Sequence, residues 1–556
     1  MVFGGLDELA LQGKAASEVA NSFVDEVLRR IQEGNSFGKQ RQVIITGRTI
    51  AVQSVADKLR EPRQISYVLP YFVEEEEKEK FYDPDGLLAE DQRQRWWRQY
   101  GKAAGKDYAG LPDDLDREHL AEITAQPLLN YLVALSYDRK KIAFTDETTL
   151  NQIYADLISA VYWRRYEEEQ RGENRGVNAC TGGLDEQQFI RVLEEIALAV
   201  WHGDGRTATV SSIQKKFTGR LKKYLERFQE GAEAGVTRLL TAFYFRQSDN
   251  RQDGDPTFEF THKSFGEYLT ALRIIRLLRQ MQKQRQRQEE DPDDGWSEKE
   301  ALQHWTSFCA VTAMDDDLLR FISNEFLVMT QEELRALQEM VRNLLSYTIN
   351  QGLPFPDEFL SKGFKEHLRL ARNAEEALLA MHFHIAELTG QVSKLDLESD
   401  TVFGEWISRL KGASYRIEGT VAVGSLGFLD LSGCYFLGQN FHEADFEMTC
   451  FNGSLLAHGL FADANFSGGE CRKAEFSSAN LELADFEDAE LLEASFEGAD
   501  LERANFECAN LEDVNFRDAN LYGANFTNAN LKGANFEGAD LTGTNLKGTI
   551  LENKDS

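Results

Sequence analysis

The sequence predicts a multidomain chain in which mixed α/β and helical segments lead into a four-sided β-coil. Three observations predict it. Residues 426–551 repeat every five residues, with large apolar residues at every fifth position from Leu431 to Leu551 apart from Cys471. Two short apolar runs near the start, Val43-Ile44-Ile45-Thr46 and Ile65-Ser66-Tyr67-Val68-Leu69, read as buried strands. Between the two ends, apolar residues fall at helical spacing.

Residues 1–110 are the mixed region. The segment from Ser17 to Ile31 has helical apolar spacing (Val19, Phe23, Val24, Val27, Leu28, Ile31), and Pro70 stops the second strand. Glu74 to Glu77 read as a solvated helix start. Residues 111–187 are helical, with core-like stripes at Leu128, Leu129, Leu132 and Leu135, then Ile153, Leu157, Ile158 and Val161. A second helical set opens residues 188–278 near Phe189. Residues 279–300, which contain Asp291-Pro292-Asp293-Asp294-Gly295, read as a helix ending in a charged linker. Residues 301–412 return to helix as an arm, and 413–556 hold the repeat.

Val2-Phe3-Gly4-Gly5-Leu6-Asp7-Glu8-Leu9 resembles the second half of a Walker B segment in the NACHT (STAND-type) class of signalling ATPases. Such a site needs carboxylates at a strand end to hold magnesium and orient a water. Val43-Ile44-Ile45-Thr46-Gly47-Arg48 resembles that family's next strand with its sensor arginine, and Tyr67-Val68-Leu69-Pro70-Tyr71-Phe72 the strand after it. Gln126-Pro127-Leu128-Leu129 resembles the helical-domain proline that packs on the nucleotide base. His262, Phe265, Glu267, Tyr268 and Leu269 resemble a winged-helix motif whose histidine reads the nucleotide phosphate. The resemblance implies an N-terminally truncated, P-loop NTPase-like α/β remnant over 1–110, a helical domain over 111–187 and a winged helix over 188–278. It implies a Walker B remnant at Asp7 and Glu8, with Arg48, Pro127 and His262 as nucleotide-binding remnants. Arg48 also reads as a strand-end surface residue, Pro127 as a helix start and His262 as a core histidine.

The pattern departs from the family at the phosphates. No G-x-x-x-x-G-K-S/T occurs, and Gly4 stands where the magnesium-holding aspartate belongs. The chain is expected not to hydrolyse ATP alone and to need no cofactor. ATP or ADP with magnesium enters only if an upstream segment supplies the phosphate loop. No HExxH or G-x-S-x-G is present, and His382 and His384 lie on different helix faces, so no metal or nucleophile site is expected.

In the repeat, Ala474-Glu475-Phe476-Ser477-Ser478-Ala479-Asn480-Leu481 sets the unit: small, polar, large apolar, then two variable residues. The small and large residues are two apart, so extended backbone turns both inward. A coil that turns a corner every five residues has four sides and repeats after about 20 residues, with successive coils about 4.8 Å apart. Phe476, Phe496, Phe516 and Phe536 then stack up one side, Phe446, Phe466, Phe486, Phe506 and Phe526 up the opposite side, and Leu481, Leu501, Leu521 and Leu541 up a third. The pattern resembles the pentapeptide-repeat family, which implies a right-handed quadrilateral β-helix. Gln439, Thr449 and Gly459 depart from it at the small position, so the first two coils are expected to be irregular.

The formal charge is −32, and from Asp430 to the end 24 acidic residues face 7 basic ones. Such a surface excludes nucleic acid as a direct ligand and admits a basic protein partner. Asp485, Glu487, Asp488 and Glu507 share the face over the Phe486 stack, neighbouring coils bringing them within about 5–10 Å. They read as a docking strip for that partner or as a solvated face. The six cysteines form no CxxC pair, which reads as reduced thiols in a cytoplasm. No apolar run is long enough to span a bilayer, and no membrane partner is expected.

Together these features imply a non-catalytic regulatory or sensor protein of the bacterial NACHT signalling or defence type, whose rod recognises a protein partner or trigger. The same resemblance admits a homo-oligomer. A second reading is an acidic DNA mimic that binds a topoisomerase or another DNA-binding protein, as some pentapeptide-repeat proteins do. A third is a structural scaffold.

Overall fold

The computed structural model describes residues 86–163, 184–203, 263–411 and 423–552 continuously, with shorter runs at 2–3, 24–31, 43–45, 70–73, 206–209, 245–248 and 257–260 and a few isolated positions. The chain divides into two compact units, Met1–Thr270 and Ala271–Ser556.

In the first unit, β1 (Val2–Phe3) pairs in parallel with β2 (Ile44–Ile45), Val2 opposite Ile44. The strand expected at 65–69 lies outside the described residues. Helix α1 (Gln92–Ala104) starts at Asp91, whose carboxylate accepts from the Arg93 amide, and stops at Gly105, where φ is 68°. A left-handed C-cap suits glycine because it has no Cβ to clash. Buried Trp97 donates its indole N–H to Asn130 at 2.9 Å, which ties α1 to α3 (Pro127–Arg139) after α2 (Glu118–Ala125). Arg93 is also buried; it bonds Asp91, Asp116 and Thr124 and lies 4.4 Å over the Phe72 ring. Helices α4 (Leu150–Trp163) and α5 (Glu186–His202) follow. Next comes an antiparallel sheet ordered β3 (Ala208–Thr209), β5 (Thr257–Phe260), β4 (Phe245–Ser248). Phe265, Tyr268 and Leu269 are core, and Tyr154 meets Phe265 edge-on at 4.5 Å.

Helix α6 (Lys263–Glu290) carries the boundary between the units. The charged segment over 279–300, read as a helix ending in a linker, is helical as far as Glu290. Its residues have core partners: Met281 is fully buried, and Arg285 binds the Trp296 carbonyl and Glu298. Only the turn at 291–297 connects, and it ends in a Ser297–Glu300 capping box that starts α7 (Glu298–Cys309). The arm continues through α8 (Asp316–Leu327), α9 (Gln331–Gln351), the short α10 (Asp357–Leu360), α11 (Phe364–Thr389) and α12 (Val402–Lys411). Trp305, Phe321, Leu344 and Leu378 lie in its core, and Trp305 donates to the Ala374 carbonyl at 2.8 Å.

The arm runs directly into the repeat. β6 (Ser393–Lys394) pairs in parallel with β7 (Leu429–Asp430), and Phe403 packs edge-on to Phe436 at 5.9 Å. From there parallel bridges join each residue before the large apolar position to its counterpart 20 residues on, from Asp430–Cys450 to Asn525–Asn545. Each coil is thus four five-residue units. The first coils keep this backbone spacing, contrary to the expected irregularity. Their departures from the pattern are contacts instead: Gln439 accepts from Ser408 of α12, and the Thr449 hydroxyl donates to the Leu426 carbonyl.

Candidate partner-binding surface

Each five-residue unit closes as a β-turn. The amide of Ala484 donates to the Leu481 carbonyl at 3.1 Å, and φ is positive at Leu483. A positive φ at the third turn residue alone is the type II arrangement. It recurs at every fifth residue from Phe428 to Gly548, whether the residue is glycine or not. The inward rings form two columns. Phe466, Phe486 and Phe506 stack nearly parallel at 4.8 and 5.1 Å, as do Phe476, Phe496 and Phe516 at 4.9 and 5.3 Å. The columns meet edge to face at 5.6–5.9 Å, the geometry that ring quadrupoles favour.

Outside the core, an Asp or Asn standing before a large residue makes an Asx-turn. Asp485 accepts the Glu487 amide at 3.0 Å, and Asn505 the Glu507 amide at 3.2 Å. These side chains also form a ladder between coils. Asn505 donates to Asp485 at 2.9 Å, Asn525 to Asn505 at 2.9 Å and Asn545 to Asn525 at 3.2 Å. An aspartate can only accept, so Asp485 begins its run and cannot donate to Asn465.

The four predicted strip residues do share one face. Asp485, however, is half-buried and committed to the ladder, while Glu487 and Asp488 are exposed. Asn505 binds Asp485 at 2.9 Å and reaches toward Glu487 at 3.4 Å. Glu507 sits one coil on and accepts from Asn525 at 3.3 Å.

The faces differ in charge. The adjacent Leu481 and Phe486 faces carry 12 acidic and two basic residues between them. On the Leu491 face each base has an acid one coil away: Arg472 pairs with Glu490 at 3.6 Å, Lys473 with Glu493 at 3.3 Å, and Lys532 with Glu512. On the Phe486 face no base occurs before Lys547, and among the described residues its acids form no ion pair. Asp445 and Glu447 extend this face toward the arm and were not singled out by sequence, although they stand 40 residues before Asp485 and Glu487, two coils away in register. Burial raises the pKa of both, with the Glu387 charge of α11 acting in the same direction.

The remaining predicted residues do not assemble into a described site. Asp7, Glu8, Arg48 and His262 lie outside the described residues. Pro127 is exposed in the first turn of α3. Among the described residues no group of three His, Cys, Asp or Glu could hold a metal ion, and no helix is long and apolar enough to cross a membrane. The five described cysteines are free thiols. His382 is fully buried.

Comparison with known proteins agrees with the repeat. Residues 469–546 match the family model for a pentapeptide repeat region, and residues 425–456 match the family model described as pentapeptide repeats (8 copies). The C-terminal region is a pentapeptide-repeat domain. Both matches lie at or beyond residue 425 and so do not bear on the NACHT-like reading of residues 1–275. No curated protein matches the chain. A solved pentapeptide repeat protein from the Arabidopsis thaliana thylakoid lumen is 38% identical over 15% of this chain, with a TM-score of 0.15. This chain spans 59% of that protein's length. A Nostoc pentapeptide repeat protein is 27% identical, covering 20% of this chain and 85% of its own, with a TM-score of 0.16. QnrB1, a plasmid-mediated fluoroquinolone resistance protein, is 20% identical, covering 23% of this chain and 81% of its own, with a TM-score of 0.13.

Proposed function

We propose that the chain is a non-catalytic binding protein whose acidic repeat faces dock the basic surface of a protein partner. One observation carries this: acids on the Phe486 face go unneutralised, while bases on the Leu491 face are paired coil by coil. In this reading the repeat is a right-handed quadrilateral β-helix, which the 20-residue bridge spacing supports. Its stacked rings hold the surface rigid, so little side-chain or loop ordering opposes binding.

A DNA-mimic form of the reading, with a DNA-binding protein as partner, draws on the same charge segregation. A groove built to neutralise phosphates would also accept regularly spaced carboxylates. The NACHT signalling form draws on the parallel β1–β2 pair and on the three-stranded sheet ahead of α6.

The test is binding of a lysine-rich helical peptide, and separately of a type II topoisomerase, to the full chain. Reversing Glu487→Lys with Glu507→Lys is expected to weaken binding about tenfold and to flatten its salt dependence. Binding unchanged in both assays would leave the face merely solvated. An absence of any effect on topoisomerase supercoiling would dismiss the DNA-mimic form alone.

A further inference from the structure

We propose that the basic surface is supplied by a second copy of this chain, through the exposed face of α1; the proposal rests on the docking reading above. Residues 92–106 contain five Lys or Arg and no acid, in a chain with 93 acidic and 61 basic residues. Arg93 is buried and bound to Asp91, Asp116 and Thr124. Arg95, Arg98 and Lys102 are exposed. Their spacing of three and then four residues puts them in one row along the helix. Among the described residues Arg95 and Lys102 have no ion-pair partner, and Arg98 bonds only the Gln94 carbonyl of its own helix.

The row matches the repeat in pitch. At 1.5 Å rise per residue, Arg95, Arg98 and Lys102 are about 5 Å apart along the axis on average. Successive coils, measured between stacked rings, are 4.8–5.3 Å apart. A helix laid along the coil axis therefore sets one cation over each of three coils. The row is also held in place. Trp97 anchors the helix to Asn130, and Trp96 stacks on Tyr100 at 5.1 Å.

Two competitors fit less well. The exposed row Arg279, Lys283 and Arg287 of α6 runs beside a cavity of about 430 Å³ lined by Glu289, Glu332, Glu333 and Glu339, which would repel an acidic face. Single-stranded nucleic acid would need open aromatic faces to stack on, and Trp96 has one face stacked on Tyr100, which stacks in turn on Tyr108. Contact between α1 of one copy and the repeat of the next is heterologous, so it builds a ring or an open string.

The experiment is sedimentation velocity of the full chain at about 50 mM and about 500 mM salt. At low salt the average mass is expected to rise with protein concentration, and at high salt to return to the monomer. R95E/R98E/K102E is expected to weaken association about tenfold or more, as is E487K/D488K/E507K. An equimolar mixture should regain association, because each variant keeps the half the other has lost. A wild-type chain that stays monomeric at low salt overturns the proposal, as does a mixture that regains nothing. If the repeat variant loses the lysine-rich peptide while the wild type stays monomeric, docking stands and only self-association falls. Loss of single-stranded oligonucleotide binding in R95E/R98E/K102E, without a change in mass, assigns the face to nucleic acid and overturns the proposal.

Discussion

Side chains buried in the repeat have copies of themselves as neighbours; those buried in the arm do not. Phe486 lies between Phe466 and Phe506, and a ladder amide lies between ladder amides. In the arm, buried polar groups are met singly. Glu375 faces Arg409 at 2.7 Å, Asn373 donates to the Ala310 carbonyl at 2.8 Å, and His382 has neither ring nitrogen partnered. A repeated environment spreads one solution over many positions. A single-copy environment concentrates its electrostatic cost at one residue, and a change in conditions then acts there.

The largest expected effect tests how local the repeat is. Phe486→Ala removes a ring packed against four others and should cost about 3–5 kcal/mol, read by urea unfolding. Because each coil buries its core only against its neighbours, amide exchange should rise around residues 464–507 and stay unchanged at 318–326. An equal rise in the arm would show that the two regions unfold as one unit.

The next effect tests the arm. Burial lowers the His382 pKa from 6.5 to about 4. Between those values the unfolded chain holds a proton that the folded chain lacks. Stability therefore falls as pH drops from 6.5 toward 4, by about 3 kcal/mol over the whole window. His382→Leu should remove that slope while leaving stability near pH 7 unchanged or higher. A slope that survives the substitution would place the acid sensitivity elsewhere, with His384, whose pKa burial also lowers, the next group to examine.

The smallest effect tests the turns. Leu483 is 46% exposed and sits at φ 59°. Leu483→Gly relieves a left-handed side chain without opening the core, and should raise stability by about 1 kcal/mol. A lower urea midpoint would mean that the exposed leucine packs usefully on its neighbours.

Much of the repeat was legible because its period assigns every residue a place. The opposed Phe columns, the inward Cys471 and the face shared by Asp485, Glu487, Asp488 and Glu507 all follow from position modulo 20. The double use of Asp485 was less visible: an acid at that position looks like surface charge until the next coil's asparagine is seen to bind it. The row on α1 was legible only as composition, since Arg93 is one of the five bases at 92–106 and folding removes it into the core. At the arm, helical spacing predicted helices but not where the charged segment stops being one.

The sequence by itself determined the coil of this protein, its core columns and its charge, because a strict period leaves each side chain one recurring environment. Tertiary structure alone decided which charges stay free. Arg472, Lys473 and Lys532 find acids one coil away, Arg93 finds Asp91 and Asp116, and Gln439 leaves the pattern to meet Ser408. The Arg93 and Gln439 partners are set by packing between elements, and even between coils the period brings charges near each other without fixing the few ångströms on which pairing depends.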